Sequence, residues 1–246
     1  MPDAPRLLVN LDYNEVADPW YRSTYSIPSP YVDYFAADNI AVIGALPADY
    51  GKVTLATLVD MCDGLLMIGG DDYPSDFIGC EYSEHEVPMH IRRARNDFML
   101  FRHAWQTGKP IMGICAGMQL AVFALGGCIL PHLDGEHAFH HAKSHSQDNM
   151  HPVKLTEGRL TSIFGTNQIQ VNSSHHQGVC AQTLPDQLFP VAHAPDGLVE
   201  AVERKRKGYG LFVQWHPERH PDPTHRDKLL GAFSKAVKHS ANTRGK

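Results

Sequence analysis

Residues 109–127 read Lys-Pro-Ile-Met-Gly-Ile-Cys-Ala-Gly-Met-Gln-Leu-Ala-Val-Phe-Ala-Leu-Gly-Gly, an apolar strand pattern that passes through one cysteine into an apolar helix pattern. Gly113 and Gly117 flank Cys115 in the Gly-x-Cys-x-Gly spacing of a nucleophile elbow. In such a turn the nucleophile takes strained backbone angles, and small neighbours let adjoining segments approach closely. We therefore expect the Cys115 sulfur to project from the carboxyl edge of a sheet, where open α/β sheets bind ligands.

The helix predicted after Cys115 presents the positive end of its dipole to the sulfur, which favours thiolate over thiol. We therefore predict that Cys115 acts as a nucleophile. The alternative is a small apolar core residue, because most free cysteines are buried and inert.

Other short apolar runs have the texture of buried parallel strands. They are residues 7–11, 40–43, 65–68 and 110–114. Residues 88–106 carry apolar side chains at steps of three or four, which predicts an amphipathic helix between strands. This alternation is typical of a doubly wound, mostly parallel α/β sheet with helices on both faces.

From Pro152 onward the pattern changes to short runs, several of which alternate with period two. They are residues 168–173, 198–203 and 209–215. We expect extra antiparallel strands in this C-terminal half, followed by a last amphipathic helix over 226–238. The chain has no internal repeat and no low-complexity linker, so we predict a single domain over residues 1–246.

The bulk composition is that of a globular protein. The 246 residues are 43% hydrophobic and 20% charged, which suffices for a sizeable core in one domain. A formal net charge of -5 gives no reason to expect nucleic acid or an anionic membrane as partner, and favours a small-molecule or peptide-like substrate. The five cysteines are scattered without a CxxC pair, which indicates a reducing compartment. With no signal-peptide pattern and no apolar run long enough for a membrane span, we predict a cytoplasmic protein.

A second candidate site motif lies about a hundred residues after the elbow. Residues 210–218 form an apolar strand pattern that ends in Trp-His216-Pro-Glu218. A cysteine nucleophile needs a base within hydrogen-bond reach, and the base needs a carboxylate that fixes its tautomer and stabilises the imidazolium. His216 and Glu218 are of the right types. A lone His-Pro-Glu also occurs on solvated loops, and its pairing with an elbow makes the catalytic interpretation more specific.

A third motif is the strand pattern at residues 65–68 that runs into Gly69 and Gly70. Glycines leave backbone N–H groups unobstructed, and an oxyanion hole needs two such donors. We assign one donor to Gly70 and the other to Ala116, the residue after the nucleophile. The alternative is a plain turn between strand and helix.

Four motifs, in the expected order, together resemble the class I glutamine amidotransferase superfamily, and the match spans roughly residues 64–219. More narrowly they resemble its γ-glutamyl hydrolase branch, peptidase family C26, which includes the γ-glutamyl-γ-aminobutyrate hydrolases. The motifs are Gly113-Ile-Cys-Ala-Gly-Met-Gln119, Val171-Asn-Ser-Ser-His-His-Gln-Gly178, Asp196-Gly-Leu-Val-Glu-Ala201 and Val213-Gln-Trp-His-Pro-Glu218.

The resemblance implies a flavodoxin-like sheet and a triad of Cys115, His216 and Glu218 that acts through a covalent γ-glutamyl thioester resolved by water. It implies no cofactor and no metal, a small-molecule γ-glutamyl substrate, and leaves a homodimer open. Substrate contacts carried over from the family motifs are Gln119, Ser173, Ser174 and His175. Each of these also has an ordinary structural explanation at a helix start or a strand end.

Two other functions remain open from the sequence. One is a glutaminase subunit that hands ammonia to a separate synthetase, and the other is a non-catalytic flavodoxin-like protein with a redox-sensing cysteine. A redox sensor has no need of the Trp-His-Pro-Glu motif, whereas a hydrolase does. The leaving amine is also open, although the acidic pair Asp71-Asp72 beside the predicted oxyanion hole suggests a cationic or amine-bearing product.

Two further segments have alternative interpretations. Residues 132–151 are rich in histidine, and we interpret them as a long loop with solvated histidines rather than as a metal site. Residues 14–34 are rich in tyrosine and proline. They form either a lid or wall over the substrate or an aromatic packing element.

Overall fold

The structure is a computed structural model that describes residues 4–16, 20, 22–48, 51–79, 83–135, 141, 148–206 and 208–244. Its strands are β1 Arg6–Asn10, β2 Asp12–Glu15, β3 Ser23–Ser26, β4 Ala41–Ala45, β5 Gly64–Met67, β6 Ile111–Ile114, β7 Asn149–Leu155, β8 Gln168–Ser173, β9 Leu188–His193, β10 Val199–Arg204 and β11 Gly210–Val213. Its helices are α1 Ser29–Ala37, α2 Lys52–Asp60, α3 Ser75–Ile78, α4 Ile91–Gln106, α5 Ala116–Ala124, α6 Arg159–Phe164 and α7 Pro223–Thr243.

One nine-stranded sheet runs through the molecule in the order β4-β1-β5-β6-β11-β10-β9-β7-β8. The pairings from β4 to β11 are parallel. Those from β11 to β8 are antiparallel. The predicted flavodoxin-like α/β fold, with extra antiparallel strands in the C-terminal half, is therefore confirmed.

Helices cover both faces of the sheet, and the side chains of β5 show how. Leu65 and Met67 pack in a cluster with residues of α2, α4 and α5. Leu66 and the following Ile68 pack in a second cluster with residues of α1, α6 and α7. Successive residues of a strand point to opposite faces, so a continuous apolar run serves both layers.

The two helices predicted from periodicity are present, and capping residues set their true ends. Helix α4 begins at Ile91, because His90 accepts a hydrogen bond from the Arg92 N–H at 3.1 Å. Helix α7 begins earlier than predicted, at Pro223, because the Asp222 carboxylate accepts from the Thr224 N–H at 2.8 Å. Proline suits the first turn of a helix, where its missing N–H costs nothing.

The loop predicted over residues 132–151 is wrong at its C-terminal end, since β7 begins at Asn149. Met150 pairs with Asn172 and His151 with Val171 on β8. The local composition does not indicate a strand at residues 149–151. The strand forms there because β8, which is distant in sequence, pairs with it. Within the described ranges no helix has both the length and the apolar character needed to cross a bilayer.

Candidate active site

Cys115 lies at the turn between β6 and α5, at the carboxyl edge of the parallel strands. Its backbone angles are φ 52° and ψ −108°, so a non-glycine residue occupies a positive-φ conformation. The predicted strain at the elbow is confirmed. Gly117 lies so close to β5 that a side chain would collide with the Met67 carbonyl, which explains the small residue two positions after the cysteine.

His216 and Glu218 follow β11, the parallel neighbour of β6, and therefore reach the same sheet edge as Cys115. Their side chains are buried, and His216 Nδ1 lies 2.8 Å from Glu218 Oε1. Burial lowers the pKa of His216, but the charge of the Cys115 thiolate, its hydrogen bond and the Glu218 carboxylate raise that pKa to about 10. The raised pKa keeps His216 protonated as an imidazolium, with the Glu218 carboxylate beside it.

Gln214 is a further contact of the sulfur that sequence reasoning missed. Its side chain is fully buried, and Nε2 lies 3.6 Å from Cys115 Sγ, within reach of a hydrogen bond to sulfur. The residue comes two positions before His216, inside a motif already singled out, and this position was the available signal. An amide N–H directed at the sulfur helps to hold the Cys115 side chain in place beside His216.

A buried arginine holds the glycine turn that follows β5. Arg93 on α4 is fully buried and donates from Nη2 to the Gly69 carbonyl at 2.8 Å. Nη1 donates to Asp12 at 2.8 Å and Nε to Asp97 at 3.3 Å. Burial opposes the cation, but the neighbouring carboxylates raise the pKa of Arg93, so the guanidinium stays charged. This bracing fixes the backbone that carries the predicted oxyanion donor at Gly70.

The same network continues from Asp97 to the end of β1. Asp97 Oδ2 also accepts from Asn10 Nδ2 and from the Tyr73 hydroxyl, both at 2.8 Å. Asn10 Oδ1 in turn accepts from the Ile68 N–H at 2.8 Å, one residue before the glycine pair. Both sides of the glycine turn are thus tied to α4. The sequence analysis predicted the helix but not this network.

If the hydrolysis predicted from the sequence takes place, we expect Gly70→Ala to lower its kcat by roughly 10²-fold, the usual cost of one misplaced oxyanion donor. An added methyl group would overlap the Arg93 guanidinium, which its three partners hold in place, so the turn itself must shift. Steady-state kinetics measure the effect. Gly51→Ala is the matched control, since nothing lies within 4 Å of a side chain there. Equal kcat values for both variants would contradict the predicted role of Gly70 as an oxyanion donor.

A cavity of about 430 Å³ opens beside His216. Its lining residues are Asp12, Ser26, Ile27, Pro28, Tyr31, Ile68, Gly69, Gly70, His216, Glu218 and Arg219. Ser26, Ile27, Pro28 and Tyr31 belong to the tyrosine- and proline-rich segment 14–34, so these four residues of the segment form a wall of the cavity. Tyr31 is buried, and burial followed by the nearby Glu218 charge raises its pKa, which keeps the phenol neutral.

At the rim of the cavity, Arg219 adds a cation to the group of charged side chains around Glu218. It donates to Asp148 from Nε at 2.7 Å and from Nη2 at 3.1 Å, while Nη1 lies 3.8 Å from Glu218 Oε1. Asn172 Nδ2 donates to the same Asp148 carboxylate at 2.8 Å. The Glu218 carboxylate therefore has a cation beside it as well as His216. In the sequence, the position of Arg219 directly after Pro217-Glu218 was the signal that could have identified it.

Residues 8–218 match the family model described as peptidase C26. This chain belongs to the peptidase C26 family. A glutamine amidotransferase-like protein of Rickettsia prowazekii is 28% identical over 96% of each chain. A γ-glutamyl-γ-aminobutyrate hydrolase of Escherichia coli is 33% identical over 67% of each chain.

Solved structures share the fold at low identity. The glutaminase domain of the Trypanosoma brucei CTPS, solved with bound acivicin, superposes on this C26 chain with a TM-score of 0.66 at 18% identity. That match covers 96% of this chain and 94% of the other. A Thermotoga maritima glutamine amidotransferase gives 0.58 at 13% identity, over 96% of this chain and 85% of the other. These likenesses establish the class I glutamine amidotransferase fold.

The residues that the resemblance implies as substrate contacts differ in burial and in their hydrogen-bond partners in this C26 protein. Gln119 is buried one turn into α5, and its backbone N–H donates to the backbone carbonyl of Cys115 at 3.2 Å. Ser174 is half-buried in the loop after β8. The Ser173 hydroxyl donates to the His141 carbonyl at 3.0 Å, and His175 Nδ1 lies 2.8 Å from the Gln177 carbonyl. Neither Ser173 nor His175 lines the cavity beside His216.

The acidic charge predicted beside the site is partly neutralised. Asp72 lies 3.0 Å from His176 Nε2, and this contact raises the pKa of His176. The Asp71 side chain is exposed to solvent. Loss of some solvent around its carboxylate, followed by the nearby Asp12 charge, raises the pKa of Asp71. Of the predicted acidic pair, Asp71 is exposed and is not among the residues that line the cavity beside His216.

The prediction of solvated loop histidines over 132–151 is wrong for two of them. His141 is fully buried and His151 is 2% exposed, on β7. His132 is partly buried, 3.1 Å from His176 between Nδ1 atoms. Residues 137, 140 and 145 lie outside the described part of the chain. Tertiary packing buries His141 and His151, and the surrounding polar composition gave no sign of this.

Proposed function

We propose that this C26 protein hydrolyses a γ-glutamyl amide bond through a γ-glutamyl thioester on Cys115 and releases glutamate. The observation that carries the proposal is the buried His216–Glu218 pair beside a cysteine held at positive φ. A redox-sensing cysteine needs neither feature. The membership of the chain in a family of amide hydrolases supports the same reaction class.

In the first half-reaction the Cys115 thiolate attacks the γ-carbonyl carbon and forms an S–C bond. The oxyanion that develops receives hydrogen bonds from the backbone N–H groups of Gly70 and Ala116. Ala116 is the first residue of α5, so its N–H has no carbonyl partner within the helix. The His216 imidazolium then gives its proton to the amine nitrogen, the C–N bond breaks, and the thioester remains.

In the second half-reaction neutral His216 takes a proton from a water molecule, whose oxygen attacks the thioester carbon. The C–S bond breaks, and glutamate leaves as Cys115 returns to thiolate beside the imidazolium. Glu218 holds the tautomer that presents Nε2 to the sulfur and stabilises the cation in both steps. Arg93 holds the glycine turn in the same conformation in both half-reactions.

The substrate class is a γ-glutamyl amine or peptide, for example γ-glutamyl-γ-aminobutyrate. The relative from Escherichia coli carries the name of that hydrolase, which supports this choice. Asp71 near the glycine turn instead favours a cationic amine end. γ-Glutamyl-putrescine ends in a positively charged amine and γ-glutamyl-γ-aminobutyrate in a negatively charged carboxylate. Comparing the two compounds as substrates therefore tests which charge the site prefers.

The deciding experiment measures glutamate release from these two compounds, a γ-glutamyl dipeptide, a folate polyglutamate and free glutamine. We expect one γ-glutamyl amide to exceed glutamine in kcat/KM by at least about tenfold, a difference of roughly 1.4 kcal/mol in transition-state binding. Glutamine as the preferred substrate would instead indicate a glutaminase subunit. No glutamate from any compound would sink the proposal and point to a redox role for Cys115.

A further inference from the structure

Four buried side chains form a cluster that the proposed reaction does not use, and we refer to them as the histidine cluster. They are His141, His151 on β7, His175 after β8, and Glu200 on β10. All are at most 7% exposed. The cluster thus joins the antiparallel half of the sheet to the loop that follows β8.

Glu200 is the unusual member. Both of its carboxylate oxygens are buried, and neither accepts a hydrogen bond from any residue that the structure describes. His141 Nδ1 lies 3.3 Å from Oε1 and His175 Nε2 lies 3.7 Å from it. A buried carboxylate without hydrogen bonds is costly, and native proteins rarely leave one without a cation or a proton.

Each histidine of the cluster has one ring nitrogen engaged with an oxygen on its outer side. His141 Nε2 lies 2.9 Å from Asp196 Oδ2, and His175 Nδ1 lies 2.8 Å from the Gln177 carbonyl. His151 Nδ1 lies 3.2 Å from the Pro152 carbonyl. A ring whose one nitrogen faces outward turns its other nitrogen toward the centre of the cluster, and outer contacts of this kind orient metal-binding histidines.

The inner atoms are close enough for one ion. One ligand atom from each of His141, His151 and Glu200 lies within 4.8 Å of the other two. Ligands about 2.0–2.2 Å from a tetrahedral zinc ion are separated by roughly 3.5 Å, so a shift of about 1 Å closes the site. Two imidazoles and one carboxylate suit zinc and related first-row metals.

We propose that His141, His151 and Glu200 bind a zinc ion, with His175 as the fourth ligand. Four protein ligands and deep burial are the features of a closed, structural site. The ion would tie β7 and β10 to the loop after β8. It would also offset the buried charge of Glu200. The ion takes no part in the chemistry at Cys115, so this inference stands whether or not the proposed function is correct.

The first test is metal content. Untagged full-length protein from zinc-supplemented medium is expected to contain about one zinc per chain by mass spectrometry after gel filtration. Removal with dipicolinate should lower the Tm, and zinc added back should restore it. Less than about 0.1 zinc per chain, together with no Tm rise on adding zinc, would overturn the proposal.

Variants separate this site from adventitious binding by the other histidines of the chain. Glu200→Gln and His151→Gln should each lose the tightly held zinc. His225→Gln should keep it, since His225 is also buried but contacts Trp215, outside the cluster. If the cluster variants fail to fold, cobalt substitution of the wild-type protein decides. Intense visible bands of tetrahedral cobalt are expected, and weak octahedral bands would contradict a closed four-ligand site.

Discussion

Replacing Cys115 by alanine is expected to lower kcat for the preferred γ-glutamyl amide by on the order of 10⁶-fold, as for removal of a nucleophile from other triads. The covalent route disappears, and the remaining groups can only orient water at the carbonyl. Single-turnover kinetics with mass spectrometry check both parts. The wild-type protein should accumulate a γ-glutamyl adduct on the peptide that carries Cys115, and the variant should not.

Cys128→Ala is the matched control, because Cys128 is an exposed free cysteine that follows the end of α5 and is not part of the triad. Its activity and its adduct should match those of the wild-type protein. Thermal unfolding of both variants shows whether the elbow has collapsed. A Cys115→Ala protein that retains the wild-type Tm and more than about 1% of the wild-type kcat would disprove the nucleophile assignment, since triad nucleophiles contribute far more.

Glu218→Gln is expected to lower kcat by about 10⁴-fold with little change in KM, as for comparable replacements of the triad carboxylate. The amide keeps the size of the side chain but can hold His216 in the wrong tautomer and cannot stabilise its cation. Glu218 is one of the groups that raise the pKa of His216 to about 10, so the pKa should fall in the variant. NMR titration of the His216 ring measures this shift, and steady-state kinetics measure kcat.

Glu157→Gln controls for the loss of one negative charge, because Glu157 is exposed and lies outside the site. Neither its kcat nor the His216 titration should change. A Glu218→Gln enzyme within about tenfold of the wild-type kcat would assign Glu218 a structural role, as carboxylates that only support a fold affect stability rather than turnover.

Helix α4 shows where local patterns were sufficient and where they were not. Its apolar spacing predicted an amphipathic helix, and the helix is there. Arg93 and Asp97 lie between the apolar positions of that pattern, yet both are buried. Residues four apart share one stripe of a helix, and this stripe meets Asp12 and Asn10 rather than water. Periodicity separates polar from apolar residues but does not reveal which polar stripe finds buried partners.

The sequence by itself determined the α/β class, the elbow at Cys115, and the strand-end position of His216 and Glu218. Each of these depends on short stretches of chain, and parallel strands bring their carboxyl ends to one edge whatever the details of packing. Tertiary structure alone decided the bracing by Arg93 and the cavity wall at residues 26–31. It also decided the histidine cluster, where His141 meets Glu200 across 59 residues of sequence. Contacts of that range depend on how whole layers pack, which no local pattern encodes.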